Sequence, residues 1–285
     1  MQLPARSVRA FCLRLLRTGD LETKLLPPRC DDGAPLLDDA PGPALCIDAP
    51  ARDADLALVA GAGPLPRPGE LDDAEARARC LARFAHHELM AAELFAWALL
   101  RWPALPADLR RAWIGALADE QRHCTLYRER LRAHGSDLRA HALSDYFWKH
   151  VPAIDAAPDG PLAFLCAMGL TLEQANLDFT LVYRDAFRSA GDEASAAVCQ
   201  QVHDDEIGHV RLAAVWLERL AGVGSSDLER YTHAVPFPLS AARAKGRRFA
   251  EEPRRRAGLS TAFIAHVRDA RSSQETRSIP PRTPA

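Results

Sequence analysis

The chain lacks any apolar run long enough to cross a membrane. A spanning helix needs about 18 or more apolar residues, whereas the one apolar run near the N-terminus is short and is broken by Arg14 and Arg17. That run is also too brief for the apolar core of a secretory signal. These absences argue against a membrane or secreted protein and favour a cytoplasmic one.

Closely spaced cysteine pairs and a strong net charge are lacking too. The seven cysteines are scattered, odd in number and never in Cys-x-x-Cys spacing. This pattern favours reduced thiols over a disulfide framework. The net charge is only −2, so it indicates neither an acidic nor a basic partner. With 48% apolar and 26% charged residues, the composition is that of a globular protein.

One pattern, Asp-Glu-x-x-His, occurs twice in this ordinary composition. The copies run from Asp119 through Glu120 to His123 and from Asp205 through Glu206 to His209. Positions i and i+3 of a helix lie about 60° apart around the axis and about 4.5 Å apart along it. The Glu and His of each copy can therefore bind one metal ion together, and each copy predicts half of a metal site.

A single Glu precedes each copy at a matched distance. Glu88 lies 32 residues before Glu120, and Glu173 lies 33 residues before Glu206. Four helices can close such a double repeat around two metal ions. Four carboxylates buried together without cations would be costly, and two divalent cations remove that cost. The predicted metal ligands are Glu88, Glu120, His123, Glu173, Glu206 and His209.

Helix breaks allow this pairing to be tested by counting. The segment 102–106 contains two prolines and predicts a tight hairpin, and Glu88 and Glu120 each lie 16 residues from Ala104 at its centre. They should therefore stand at the same level. The corresponding two residues of the second repeat lie 17 and 16 residues from a turn near Ala190, so their levels match as well.

Two other carboxylates compete for these positions. Glu93 and Asp178 each lie five residues nearer their turn, which places them about 7.5 Å out of level at the rise of an α-helix. We therefore rank them second.

Three further residues are candidates for roles around the metal ligands. Asp119 and Asp205 directly precede a motif Glu, and each can accept the free ring N–H of a ligand histidine and so fix its tautomer. The alternative is a carboxylate on a solvated helix face. Tyr127 lies one turn beyond His123 and can donate a hydrogen bond or an electron near the metals, the alternative being simple packing.

The helical periodicity predicts a four-helix bundle over residues 72–222. The four helices are expected at about 72–101, 107–133, 160–189 and 192–221. Short links join the first two and the last two, while about 25 residues, 134–159, join the pairs. A bundle with one long crossover is the ferritin-like arrangement. The predicted fold class is therefore all-α.

Two flanking segments differ from this core. Residues 1–71 form a helix from Ser7 to Arg17 and then a proline-rich arm expected to pack on the core. Residues 223–285 form a basic extension with a short helix from Ser260 to Ala270 and a tail, 272–285, predicted to be disordered. The basic run 241–256 can contact phosphates or pair with the protein's own carboxylates.

The ligand pattern resembles the ferritin-like di-iron carboxylate superfamily. The first motif is similar to the Asp/Glu-Glu-x-Arg-His motif of its oxygenase members, whereas the second has Gly208 in place of the Arg. Residues 87–94, 242–246 and 254–259 resemble, more narrowly, the bacterial family called domain of unknown function 455. That resemblance runs from about Asp20 to Val267 and implies a ferritin-like fold without a settled substrate. Relatives that hydroxylate tRNA are a more distant analogy.

These patterns lead us to expect a di-iron centre, with di-manganese as the alternative. Glu120 and Glu206 would bridge the ions, Glu88 and Glu173 would be terminal, and each motif histidine would bind one ion. The expected activity is that of an O₂-dependent oxidase or oxygenase of the hydroxylase type. A manganese catalase, a metal-storage protein and a metal-free scaffold are the alternatives.

The expected partners follow from this chemistry. They are an unidentified substrate and an electron donor. A nucleic acid such as tRNA ranks below a small molecule, and a homodimer is left open.

Overall fold

The computed structural model describes residues 6–30, 32–61, 63–222 and 224–271, which are mostly helical. This confirms the all-α class. The helices are α1 Val8–Arg17, α2 Leu21–Lys24, α3 Ala74–Arg101, α4 Ala107–Ala133, α5 Val151–Asp155, α6 Gly160–Ala167, α7 Gln174–Ser189, α8 Glu193–Ala221, α9 Asp227–Ala234, α10 Glu251–Arg256 and α11 Thr261–Asp269. A π-helical segment, Met168–Glu173, joins α6 to α7. Strands β1 Leu58–Val59 and β2 Leu143–Ser144 form a parallel pair.

The long helices begin and end where the sequence predicts. The side chain of Asp73 caps α3 by accepting a hydrogen bond from the backbone N–H of Ala76 at 2.9 Å. The break at 102–106 separates α3 from α4, and α4 ends just before Gly135, which adopts a φ of +75°. The short helices predicted near each terminus are confirmed as α1 and α11. The predicted tail, residues 272–285, lies outside the described residues.

The chain divides into two compact units, and the first comprises Met1–Pro152 and Tyr183–Val202. Within it α3 packs along α4, and α1 packs on α3. A hydrophobic core that includes Leu81, Phe84 and Tyr127 is almost completely buried. The β1–β2 pair aligns Leu58 with Leu143 and thereby ties the N-terminal segment to the segment that follows α4.

The second unit comprises Ala153–Val182 and His203–Ala285. Its π segment is held by Thr171, whose hydroxyl donates to the carbonyl of Cys166 at 2.7 Å and lies 2.9 Å from the hydroxyl of Tyr231. Gly169, in the same segment, lies so close to α8 that an added Cβ would overlap the Cβ of Ala213. Only glycine permits this approach.

We expect the substitution Gly169→Ala to destabilise the protein by about 1–3 kcal/mol, because overpacking forces neighbouring side chains and backbone to shift. Denaturant unfolding followed by circular dichroism measures the change. Adding Ala213→Gly should recover part of the loss, although a glycine within a helix itself costs about 1 kcal/mol. A Gly169→Ala protein as stable as the parent would show that α8 yields freely at this point.

The basic C-terminal stretch pairs substantially with the protein's own carboxylates. Arg254 is fully buried and binds Asp178, while Arg255 pairs with Glu251 one turn away. For these arginines the structure supports the second of the two readings of the sequence. The predicted domain limits after residues 71 and 222 stay predictions.

All seven cysteines are free thiols. Among the helices of residues 6–30, 32–61, 63–222 and 224–271, none has the length and apolar character that crossing a membrane demands.

Candidate metal centre

The first unit contains one predicted half-site. Glu88 projects from α3, and Glu120 and His123 project from α4; all three are buried. Nδ1 of His123 lies 3.8 Å from Oε2 of Glu120 and 4.0 Å from Oε2 of Glu88. One potential ligand atom from each of the three residues lies within 4.8 Å of the other two. The hairpin of α3 and α4 thus brings together the residues that counting placed at one level.

The second unit contains the other half-site. Glu173 ends the π segment, and Glu206 and His209 lie one turn apart on α8; all three are buried. Nδ1 of His209 is 3.4 Å from Oε2 of Glu173 and 3.4 Å from Oε2 of Glu206. Potential ligand atoms of these three residues again lie within 4.8 Å of one another. We call the two sets the first and the second triad.

Both triads have the chemistry of a metal site. Nitrogen and oxygen ligands lie about 2.1 Å from a first-row divalent ion such as zinc, so two ligands on one ion are at most about 4.2 Å apart. The four nitrogen–oxygen separations above fall within that limit. In addition, Oε2 of Glu206 is buried and receives no hydrogen bond, which is costly for a carboxylate oxygen unless a cation faces it. The buried residues can therefore hold a metal ion.

Glu173 owes its position to an irregular helix. The sequence predicts one regular helix from 160 to 189, but residues Met168–Glu173 form a π segment. Such segments are rare and often occur at functional sites. No feature of the sequence predicts this one. The close packing of Gly169 on Ala213 is a tertiary contact, so a pattern of apolar residues does not reveal it.

The competitor Glu93 is engaged by cations of the protein itself. Its carboxylate binds Lys24 Nζ at 2.9 Å and Arg52 Nη2 at 2.8 Å, and it accepts a hydrogen bond from Trp148 Nε1 at 3.0 Å. Burial raises the pKa of Glu93, but the charges of Arg52 and Lys24 outweigh burial and hold the pKa below its usual value. Glu93 is thus a structural anion.

The competitor Asp178 is engaged in the same way. Arg254 binds its two carboxylate oxygens at 2.7 and 3.0 Å. The backbone N–H groups of Gly246 and Ala250 donate to the same carboxylate at 2.9 and 2.7 Å. These four contacts occupy the lone pairs that a metal would need, so Asp178 anchors the C-terminal segment to α7.

The two motif aspartates are placed differently from the ligands. Asp119 accepts a hydrogen bond from Arg122 Nη2 at 2.8 Å, and 41% of its side chain is exposed. Asp205 is half-buried. Their predicted role as acceptors for the ligand histidines stays a prediction.

Tyr127 is buried in the first unit beside Phe84, with ring centroids 5.3 Å apart. Its hydroxyl faces Cys199 Sγ at 3.9 Å. Burial raises the pKa of Tyr127 strongly, and the nearby Cys199 and Glu88 raise it further. The phenol therefore keeps its proton at neutral pH and can donate a hydrogen bond in the neighbourhood of Glu88.

Sequence reasoning missed a residue that contacts the second triad. Asn176 donates its side-chain N–H to Oε1 of Glu206 at 2.9 Å. It lies three residues after Glu173, the spacing that also separates the Glu and His of each motif. That spacing was the available signal. The hydrogen bond orients the Glu206 carboxylate, as groups behind metal ligands commonly do.

The sequence matches the model of a family described as protein of unknown function DUF455 over residues 15–265. The chain belongs to the DUF455 family. This confirms the narrower resemblance, which ran from about Asp20 to Val267. Neither a curated protein nor a solved structure matches the chain. Because the DUF455 family is described without a function, the function has to be argued from the residues of the two triads.

Proposed function

We propose that this DUF455 protein is a di-metal carboxylate enzyme, most simply a di-iron oxidase or oxygenase. One observation carries the proposal: two buried triads share the composition Glu, Glu and His, and in each the Glu and His of a Glu-x-x-His motif lie side by side. A carboxylate-rich, imidazole-containing set suits iron or manganese and offers no thiolate. Two matched triads favour two ions over one.

In this proposal the triads belong to one dinuclear centre inside a ferritin-like bundle. The bundle would be formed by α3, α4, the α6–α7 helix and α8, with residues 134–159 as its long crossover. Glu120 and Glu206 would bridge the ions, and Glu88 and Glu173 would be terminal ligands. His123 and His209 would bind one ion each. The proposed assignments follow the symmetry of the two repeats.

When bound, two such ions supply the two electrons that O₂ needs. The protein's own residues contribute order and dryness. Asn176 holds one oxygen of Glu206 and leaves the other without a hydrogen bond. Phe84 and Phe95 are buried in the first unit and Leu170 and Leu177 in the second. Their apolar side chains keep water from a reactive site. The protonated hydroxyl of Tyr127 is a hydrogen-bond donor near Glu88.

The expected activity is rapid reaction with O₂. Anaerobically reduced, iron-loaded protein mixed with O₂ in a stopped-flow instrument should oxidise both ions in one fast phase, with uptake of about one O₂ per pair of ions. Slow oxidation with accumulation of many irons per chain would instead indicate storage. Vigorous peroxide dismutation by manganese-loaded protein would indicate a catalase.

The substrate is proposed to be a small molecule, supplied with electrons by a separate donor. A tRNA substrate is not favoured, because Arg254 is buried on Asp178 and Arg255 pairs with Glu251. Those arginines are not available to phosphates, which dominate the affinity of nucleic-acid binding.

A further inference from the structure

A small cavity in the first unit is separate from both triads. It has a volume of about 130 Å³ and lies between α3, the loop at 63–66 and residues 141–143. Its polar lining consists of Arg79, Arg83 and His86 from one face of α3 together with His141. None of the described residues that line it is acidic. The cavity is therefore rich in N–H donors and poor in negative charge.

Arg83 carries the positive charge nearest the interior of this cavity. Its side chain is half-buried, and its Nη2 donates to the carbonyl oxygen of Gly63 at 2.6 Å. Burial lowers the pKa of the Arg83 guanidinium, and no carboxylate offsets the lowering. Cations withdrawn from water are normally paired with an anion. Arg83 has only a neutral carbonyl, so an anion in the cavity would complete its surroundings.

His86 supplies a second, independent indication of a ligand. It is completely buried, and neither of its ring nitrogens forms a hydrogen bond. Buried polar groups of proteins are nearly always satisfied, so an imidazole left without partners at a cavity wall indicates a missing partner. A neutral ring still offers one N–H donor. His86 and Arg83 lie three residues apart on α3 and can donate to one ligand.

The rim of the cavity is already partly satisfied. Arg79 is half-exposed and pairs with Glu75 at 2.7 Å, and Nε2 of His141 lies 2.9 Å from the hydroxyl of Ser136. These residues add positive charge or hydrogen-bonding capacity at the entrance. The inner wall of Arg83 and His86 is where donors await an acceptor.

We propose that this cavity binds an oxyanion, a phosphate or carboxylate group, between Arg83 and His86. The volume equals that of about four water molecules at about 30 Å³ each, which suits one compact acidic group and not a whole nucleotide. The guanidinium provides a charge-assisted hydrogen bond of the kind that binds phosphate and carboxylate well. The site does not require the triads to hold metal.

Titration calorimetry of the full-length protein with inorganic phosphate and, separately, with acetate tests this proposal. We expect saturable binding of at least one of them, and the tighter one identifies the acidic group. The Arg83→Gln protein should bind about tenfold more weakly or worse, because it loses a charge-assisted contact. His86→Phe should weaken binding as well.

Arg77→Gln is the matched control. Arg77 lies on the same helix, is also half-buried and also donates to a backbone carbonyl, that of Leu71 at 2.6 Å, but it does not line the cavity. Its replacement should leave the affinity within about twofold of the parent, as expected for a site that it does not touch. Circular dichroism of each variant verifies that it is folded.

A second background separates this site from the proposed metal centre, because phosphate can also bind iron. In the Glu120→Ala protein, which loses a triad ligand, anion binding should persist. Loss of binding in that background would assign the anion to the metals and overturn the cavity site. Absence of saturable binding of both anions, or equal affinity of the parent and Arg83→Gln, would overturn it too. None of these outcomes alters the case for the triads.

Discussion

The Glu206→Ala protein is expected to lose the coupled metal pair. The parent, loaded anaerobically with iron, should hold close to two ions per chain, because the proposed ligands form two half-sites. Glu206 is buried, is oriented by Asn176, and has one oxygen that receives no hydrogen bond. Removing a ligand should cost more than the 10- to 100-fold in affinity that is typical when a group behind a ligand is lost. Metal analysis and electron paramagnetic resonance of the mixed-valence state measure the loss.

Glu218→Ala provides the control for this experiment. Glu218 lies on the same helix, α8, but is exposed, so its removal should leave about two ions per chain. Glu120→Ala should behave like Glu206→Ala, because both residues are proposed as bridges. A parent that holds zinc alone, or a single ion at full occupancy, would contradict a dinuclear centre. Retention of a coupled pair by the Glu206→Ala protein would contradict the bridging role.

The Glu93→Ala protein is expected to be less stable by about 3–5 kcal/mol, the usual cost of leaving a buried charge without its partner. Two cations depend on this carboxylate: Lys24 is completely buried, and the side chain of Arg52 is 3% exposed. Denaturant unfolding measures the loss. The folded fraction should nevertheless hold about two ions, because Glu93 stands about 7.5 Å out of level with the ligands.

The pH dependence of stability has a definite sign. The pKa of Glu93 is lowered in the folded protein, so its contribution is complete above the ordinary pKa of a glutamate. The contribution is lost as the pH falls through the lowered folded-state value. The parent should therefore lose more stability than Glu93→Ala when both are acidified.

Glu75→Ala is the matched control for Glu93. Glu75 also lies on α3 and also pairs with an arginine, but the pair is exposed, so its loss should cost less than about 1 kcal/mol. Lys24→Met combined with Glu93→Ala should recover part of the stability, since it removes one of the unpaired cations. If Glu93→Ala empties the metal site while Glu88→Ala does not, the ranking of these two residues is wrong.

Counting along the sequence located the members of each triad because helices have a constant rise. Glu88 and Glu120 lie equally far from the break at 102–106, and α3 and α4 pack along each other on either side of it. The same regularity placed Glu93 out of level. The family was recognisable as well, since residues 15–265 match DUF455.

The reason that Glu93 is a structural anion was not recognisable from sequence. Its partners Lys24 and Arg52 lie 69 and 41 residues earlier in the chain, in a proline-rich segment without periodicity. Asp178 is likewise held by Arg254, 76 residues later. Charges so far apart in sequence meet only when the chain is folded, so composition and spacing give no sign of their pairing.

The sequence by itself determined the helices, their breaks and the residues of the two triads, because the period and rise of a helix are local properties. Tertiary structure alone decided how Glu173 and Glu206 are set within the second triad. Packing of Gly169 against Ala213 accompanies the π turn that ends at Glu173, and Asn176 orients Glu206 across two helices. These features depend on contacts between distant segments, and such contacts leave no periodic trace in the sequence.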